Sequence, residues 1–112
     1  GDTADVENSM ISEGSTINGK VDFSVIFAGA TVEEGAVVNY SIIMPGTVIK
    51  SGAVVEYAIV GEDCVVHENA KIGLSPETVE NRDEWGIAVV GHNVEISEGA
   101  EVLPKQIISK NV

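Results

Sequence analysis

Two histidines and one cysteine are the side chains of this 112-residue chain best suited to serve as a catalytic base or a nucleophile. His67 directly follows Val66, an inward aliphatic residue, so alternation along a strand places its imidazole on an outer face. His92 precedes Asn93 at a corner of the chain. A solvent-facing histidine can act as a general base beside a bound substrate, but in a chain of this size such histidines are usually inert. We therefore predict no catalytic residue, and keep a base at His67 or His92 as the alternative.

Other familiar catalytic or binding sites are incomplete in this sequence. A zinc site built on three histidines needs one more than the chain has. Cys64 shares an inward column with small residues, which predicts a buried and unreactive thiol. The glycines lie at corners and precede no helix, unlike those of a phosphate-binding loop. Lys20, Lys50, Lys71 and Arg82 are scattered among acidic residues. We therefore expect this chain to hold no metal and no cofactor of its own.

A hexapeptide repeat must position these side chains. Between residues 26 and 73 a branched aliphatic residue recurs at steps of six, six and five, with a small residue two positions before it. Because residues two apart on a strand share a face, both point inward. Glycine, aspartate or asparagine precedes the small residue in the six-residue steps and tolerates the left-handed backbone of a tight corner. The pattern predicts an all-β fold, a three-sided parallel β-helix. One interior column should contain Ile11, Ile26, Ile43, Val60 and Val90.

The repeat also predicts the domain organisation. Residues 1–5 are a polar lead-in, which we interpret as a cut end or linker, and residues 6–112 form a single β-helix domain of about five coils. The repeat is interrupted at residues 74–86, which contain Pro76 and show no alternation. A solenoid tolerates such an insertion because each coil contacts only its neighbours. We predict a loop extruded from one corner, with Trp85 folding it back onto the body.

Composition limits the partners and the compartment. Eighteen acidic residues against six basic ones give a net charge of −12, which disfavours nucleic acid and anionic membranes as partners. The sequence contains neither an apolar run of membrane-spanning length nor a signal peptide. A single cysteine fits a reducing compartment. We therefore expect a cytoplasmic protein.

One outer face of the predicted coil is apolar. In the strands that end each five-residue step, alternation directs the second and fourth residues outward, while the other two faces are mostly polar. Parallel sheets are usually covered on both sides, so this face should form an interface. Its predicted residues are Met10, Val25, Phe27, Ile42, Met44, Ile59 and Val89. The alternative is that the loop at residues 74–86 folds over this face and covers it.

Four segments of the repeat resemble the C-terminal domain of bacterial glucose-1-phosphate adenylyltransferase. They are residues 8–14, 23–29, 35–46 and 56–61, and the third reads Gly-Ala-Val-Val-Asn-Tyr-Ser-Ile-Ile-Met-Pro-Gly. The short step that carries Ser-Val-Ile or Ser-Ile-Ile makes this likeness more specific than a bare hexapeptide repeat. The resemblance covers residues 6–102.

The resemblance implies a left-handed coil, although crossovers in parallel sheets are generally right-handed. It also implies an N-terminal nucleotidyltransferase domain, not contained in this sequence, that makes ADP-glucose from ATP and glucose 1-phosphate with magnesium for glycogen synthesis. The β-helix domain of that family supports tetramer assembly and the allosteric response to sugar phosphates. The acidic character of this chain departs from a simple anion-binding surface, so we assign no effector residues.

We therefore expect an assembly and regulatory domain that is inactive alone. Its expected partners are its own catalytic domain and neighbouring subunits of a homo-oligomer, with no nucleic acid and no membrane. Two alternatives stay open. One is a fragment of a hexapeptide-repeat acyltransferase that uses His67 or His92, and the other is a free-standing scaffold β-helix.

Overall fold

The chain winds into stacked three-sided coils. The computed structural model describes residues 5–78, 83 and 85–112. Within these residues the strands form three parallel sheets, one on each side of the coil. Successive strands along the chain fall in successive sheets, so each coil places one strand on each side. The predicted parallel β-helix is confirmed, and its left-handed sense stays an expectation from the family resemblance.

Sheets A, B and C are the three sides of the coil. Sheet A contains β1 (Asp5–Glu7), β4 (Lys20–Asp22), β7 (Val37–Asn39), β10 (Val54–Glu56), β13 (Lys71–Ile72) and β16 (Glu101–Val102). Sheet B contains β2 (Met10–Ile11), β5 (Val25–Ile26), β8 (Ile42–Ile43), β11 (Ala58–Val60), β14 (Ala88–Val90) and β17 (Ile107–Ile108). Sheet C contains β3 (Thr16–Ile17), β6 (Thr31–Val32), β9 (Val48–Ile49), β12 (Val65–Val66) and β15 (Glu95–Ile96).

The described strands make five complete coils and two sides of a sixth, because sheets A and B have six strands and sheet C has five. The last residues lie along β15, where the Val112 amide donates to the Glu95 carbonyl and the Ser97 amide donates to the Val112 carbonyl. The coil therefore has about six turns, where about five coils were expected. The interpretation of residues 1–5 as a cut end or linker falls mostly on residues 1–4, which lie outside the described residues.

The interior is filled by ladders of aliphatic side chains. Strand register places Ile11, Ile26, Ile43, Val60 and Val90 in one column, as predicted. Ile26, Ile43 and Val60 are completely buried. Ile11 is 38% exposed, because it belongs to the first coil and has no coil beneath it.

Buried serines hold the short corner between sheets A and B. Ser24 Oγ accepts a hydrogen bond from the Ser41 amide at 3.1 Å, and Ser41 Oγ accepts one from the Ala58 amide at 3.2 Å. Each hydroxyl also donates to the carbonyl two residues before it, on Asp22 and on Asn39. A buried amide without an acceptor costs free energy comparable to a lost hydrogen bond. These hydroxyls therefore link adjacent coils where the shortened step interrupts the backbone ladder.

The inserted loop leaves the coil at this same corner, between β13 and β14. It begins after Gly73, contains a 3₁₀ turn at Pro76–Thr78, and returns to the coil at Ala88. Trp85 Nε1 donates to the Leu74 carbonyl at 2.7 Å, a hydrogen bond that joins the two ends of the loop. The Trp85 ring also packs edge-on against Tyr57 of the coil, with ring centroids 5.6 Å apart. Whether the loop covers sheet B depends partly on residues 79–82 and 84, which lie outside the described residues. Among the helices described, none has the length and apolar character needed to cross a membrane.

Candidate interaction surface

The outer face of sheet B carries an unbroken apolar column along the coil axis. Strand register aligns its six members: Met10, Val25, Ile42, Ile59, Val89 and Ile107. Their backbones are about 4.8 Å apart from coil to coil, so neighbouring side chains contact one another. The predicted set did not include Ile107. Because side chains alternate along a strand and Ile108 points inward, Ile107 must point outward and belongs to this column.

Phe27 and Met44 stand in a second outward column beside the first. The Phe27 amide donates to the Ile43 carbonyl, and the Met44 amide donates to the Val60 carbonyl, each in the next coil. Phe27 and Met44 therefore occupy the same position on adjacent coils. The same column continues with Gly61 and then Gly91. All seven residues predicted for the interface therefore lie on one face, in the two columns expected. Their role as an interface stays a prediction.

Exposure varies along this face in a regular way. Met10 and Ile107, at the two ends, are 72% and 76% exposed, whereas Ile42 in the middle is 36% exposed. Neighbouring coils cover the inner members on both sides, so each presents only part of its surface. The exposed area is therefore continuous rather than a set of isolated side chains.

The outer faces of sheets A and C are mixed in character. The corresponding column of sheet A runs from Asp5 through Lys20 to two valines, and then to Lys71 and Glu101. In sheet C the column contains two threonines, two valines and Glu95. Only in sheet B does an apolar column run through every described strand. That contrast singles out sheet B as the candidate surface.

An aromatic stack borders sheet B at the corner with sheet A. The rings of Phe23 and Tyr40 are stacked with centroids 4.9 Å apart, and those of Tyr40 and Tyr57 are 4.7 Å apart. Trp85 from the loop packs edge-on against Tyr57 at 5.6 Å. Sequence reasoning missed this stack. Its signal was an aromatic residue recurring at positions 23, 40 and 57, immediately before the small residue of each short step.

These corner aromatics adopt an uncommon backbone conformation. Phe23, Tyr40 and Tyr57 have φ of 47° to 48°, in the left-handed region that bulky residues rarely occupy. Offset stacking of the rings and contact with the loop favour this arrangement. The short corner thus turns without glycine, and it presents aromatic edges next to the apolar columns.

The structure does not bring the two histidines together. His67 lies at the carboxyl end of the sheet C strands, where its Nε2 is 2.9 Å from Glu95 Oε1 and its Nδ1 is 3.8 Å from Glu68 Oε1. His92 lies at the opposite end, in the corner between sheets B and C, and is exposed. Among the described residues no three histidine, cysteine or acidic side chains are grouped as metal ligands.

Cys64 is buried inside the coil, as predicted. Burial raises the pKa of its thiol. The thiol donates to the Gly91 carbonyl, and Thr47 Oγ1 accepts the Cys64 amide at 3.1 Å. A buried thiol with a raised pKa carries little thiolate, so this cysteine is a packing residue rather than a nucleophile.

The fold and this surface define a hexapeptide-repeat β-helix with one apolar side. A family model described as "GlmU-like, C-terminal hexapeptide" matches residues 1–90, and the chain belongs to that family.

Several relatives share a more particular name. A glucose-1-phosphate adenylyltransferase of Desulfitobacterium hafniense (strain DSM 10664 / DCB-2) is 33% identical over 111 residues, covering 99% of this chain and 27% of the relative. The protein of the same name from strain Y51 matches to the same extent. That of Bacillus thuringiensis (strain Al Hakam) is 57% identical over 35 residues, 31% of this chain and 9% of its own length. The resemblance seen in the repeat is confirmed, and the chain spans about a quarter (27%) of the length of the first two relatives.

Proposed function

We propose that this chain is the C-terminal assembly and regulatory domain of an enzyme related to glucose-1-phosphate adenylyltransferase. The match to relatives of that name across 99% of the chain supports this proposal. The parent enzyme would make ADP-glucose from ATP and glucose 1-phosphate in the cytoplasm, for glycogen synthesis. The described residues include no cluster of three potential metal ligands, and we assign no step of the reaction to this chain. Magnesium and ATP would act in the catalytic domain of such an enzyme.

The apolar face of sheet B is the observation that carries the assembly role. Parallel sheets are generally covered on both faces. A contiguous apolar patch of more than a few hundred Å² on a soluble protein usually marks an interaction site. The six-residue column, with Phe27 and Met44 beside it, offers such a surface along the whole coil axis. Covering it removes apolar area from water and favours association.

We infer that in the complete enzyme this face meets the catalytic domain or a neighbouring subunit of a homo-oligomer. In the isolated chain the available partner is a second copy. Regulation would act through this contact, because a domain that packs against the catalytic part can favour one of its conformations over another.

Sedimentation velocity of the 112-residue chain tests the assembly role. Replacing Phe27 and Ile42 together by lysine puts two charges on the face without changing the interior, since neither side chain points inward. The double variant should keep the circular dichroism of the parent chain and sediment more slowly, as a monomer. The matched control replaces Thr16 and Thr31, on the outer face of sheet C, by lysine and should sediment like the parent.

Either of two results would contradict this assembly role. One is a folded Phe27→Lys/Ile42→Lys variant with an unchanged oligomeric state. The other is a control variant that dissociates to the same degree, because the effect would then follow from added charge rather than from the position of the charge.

A further inference from the structure

A recess interrupts the second outward column of sheet B. Phe27 and Met44 fill this column in the second and third coils, but the next two coils have glycine there, at positions 61 and 91. An open cavity of about 490 Å³ lies beside these glycines. It is lined by Met44, Gly61, Glu62, Asp63, Gly91, His92 and Asn93. We call this cavity the glycine recess.

The floor of the glycine recess is backbone held in place from inside the coil. A Cβ atom on Gly61 would lie 2.7 Å from the carbonyl carbon of Gly91 and 2.8 Å from the His92 nitrogen, so a larger residue does not fit there without a shift. The Gly61 carbonyl accepts the hydroxyl of Thr47, and the Gly91 carbonyl accepts the thiol of Cys64. Both floor carbonyls are therefore fixed, and the cavity is largely formed before any ligand binds.

The walls combine an apolar side with acidic residues. Met44 offers a thioether chain next to the apolar face, whereas Glu62 and Asp63 are exposed acidic residues in the corner between sheets B and C. None of the residues that line the recess is a lysine or arginine. The chain as a whole carries 18 acidic and six basic residues. Charge in and around the recess therefore favours a cationic group and disfavours phosphates or carboxylates.

We propose that the glycine recess binds a lysine or arginine side chain of the protein that covers sheet B. A basic side chain has an aliphatic stem that can pack on Met44 and a cationic head that can pair with Glu62 and Asp63. An open cavity next to an apolar face suits a side chain that projects from a covering surface. This inference rests on the proposed function, in which a partner covers the face, and it adds the chemistry that selects the partner.

The test is a titration followed by amide chemical shifts of the 112-residue chain. N-acetyl-L-arginine amide mimics a basic side chain, and N-acetyl-L-leucine amide is the neutral comparison. The arginine compound should cause saturable shifts at the Gly61, Gly91 and Asn93 amides. The Glu62→Gln/Asp63→Asn variant should bind it about fivefold more weakly, the effect expected from one or two solvent-screened ion pairs. Asparagine tolerates the left-handed backbone found at position 63, where φ is 54°, so this variant should fold.

A matched control removes two acidic charges elsewhere. The Glu34→Gln/Glu98→Gln variant changes exposed residues at the corner between sheets C and A, and it should bind the arginine compound as the parent chain does. Absence of saturable shifts at the glycine recess would overturn the inference. So would equal shifts with the leucine compound, or equal weakening in both double variants. The titration is run at a protein concentration at which sedimentation shows the chain to be monomeric, so that a second copy does not cover the recess. Its outcome then does not depend on whether the chain assembles at higher concentration.

Discussion

Ile42 and Ile43 are consecutive residues that point in opposite directions, and their replacement by alanine tests the architecture. Ile43 is completely buried between Ile26 and Val60, while Ile42 is 36% exposed on the outer face of sheet B. Truncating a buried isoleucine to alanine costs about 2–5 kcal/mol, and the upper part of that range applies where neighbours cannot move into the cavity. Hydrogen bonds to both adjacent coils hold β8 in place, so little relaxation is available.

For Ile42→Ala we expect the free energy of unfolding to fall by about 1 kcal/mol. The Ile42 side chain stabilises the fold through its strand preference and partial burial, and it does not fill the core. Urea unfolding followed by circular dichroism gives both values, at a protein concentration low enough to keep the chain monomeric. The free energy of unfolding should therefore fall by clearly more for Ile43→Ala than for Ile42→Ala. An equal loss for the two variants, or a larger one for Ile42→Ala, would refute the assignment of inward and outward positions.

Further predictions concern the corners and the thiol. Ser41→Ala leaves a buried amide of the next coil without its acceptor, so the free energy of unfolding in urea should fall by about 1–3 kcal/mol. Tyr57→Ala removes the ring that Trp85 contacts, and tryptophan fluorescence should shift to longer wavelength, whereas Tyr40→Ala should leave it nearly unchanged. Because burial raises the pKa of the Cys64 thiol, the native chain should react slowly with a disulfide reagent at pH 8 and rapidly in urea. Rapid reaction of the native chain would show that the interior is open.

The interior and the apolar face could be predicted because both follow from alternation within a strand. Once the six, six and five spacing identifies the inward aliphatic residues, the residues beside them must point outward. This reasoning placed Ile43 in the core and Ile42 on the surface, and the structure agrees. It also aligned Val90 with Val60 across the loop, because the residue types around each valine repeat.

Contacts between side chains of different coils were harder to predict. The aromatic stack depends on a left-handed backbone at Tyr40 and Tyr57, which residue preferences alone would assign to glycine or asparagine. The glycine recess depends on how closely two coils approach at Gly61, and corner glycines elsewhere in the repeat obscure that special role. Both features depend on how the side chains and backbone of adjacent coils pack against each other. The period of the repeat predicts that coils stack, but it does not specify these contacts.

Methionine oxidation offers the most direct test of the proposal that sheet B is the assembly surface. The chain has two methionines, Met10 and Met44, and both lie on this face. Peroxide oxidises exposed methionine, and mass spectrometry can follow each site separately. If a second copy covers the face, oxidation of both should slow as protein concentration rises, and the Phe27→Lys/Ile42→Lys variant should lose this protection. Oxidation rates that stay the same at concentrations where the chain is oligomeric would contradict the account.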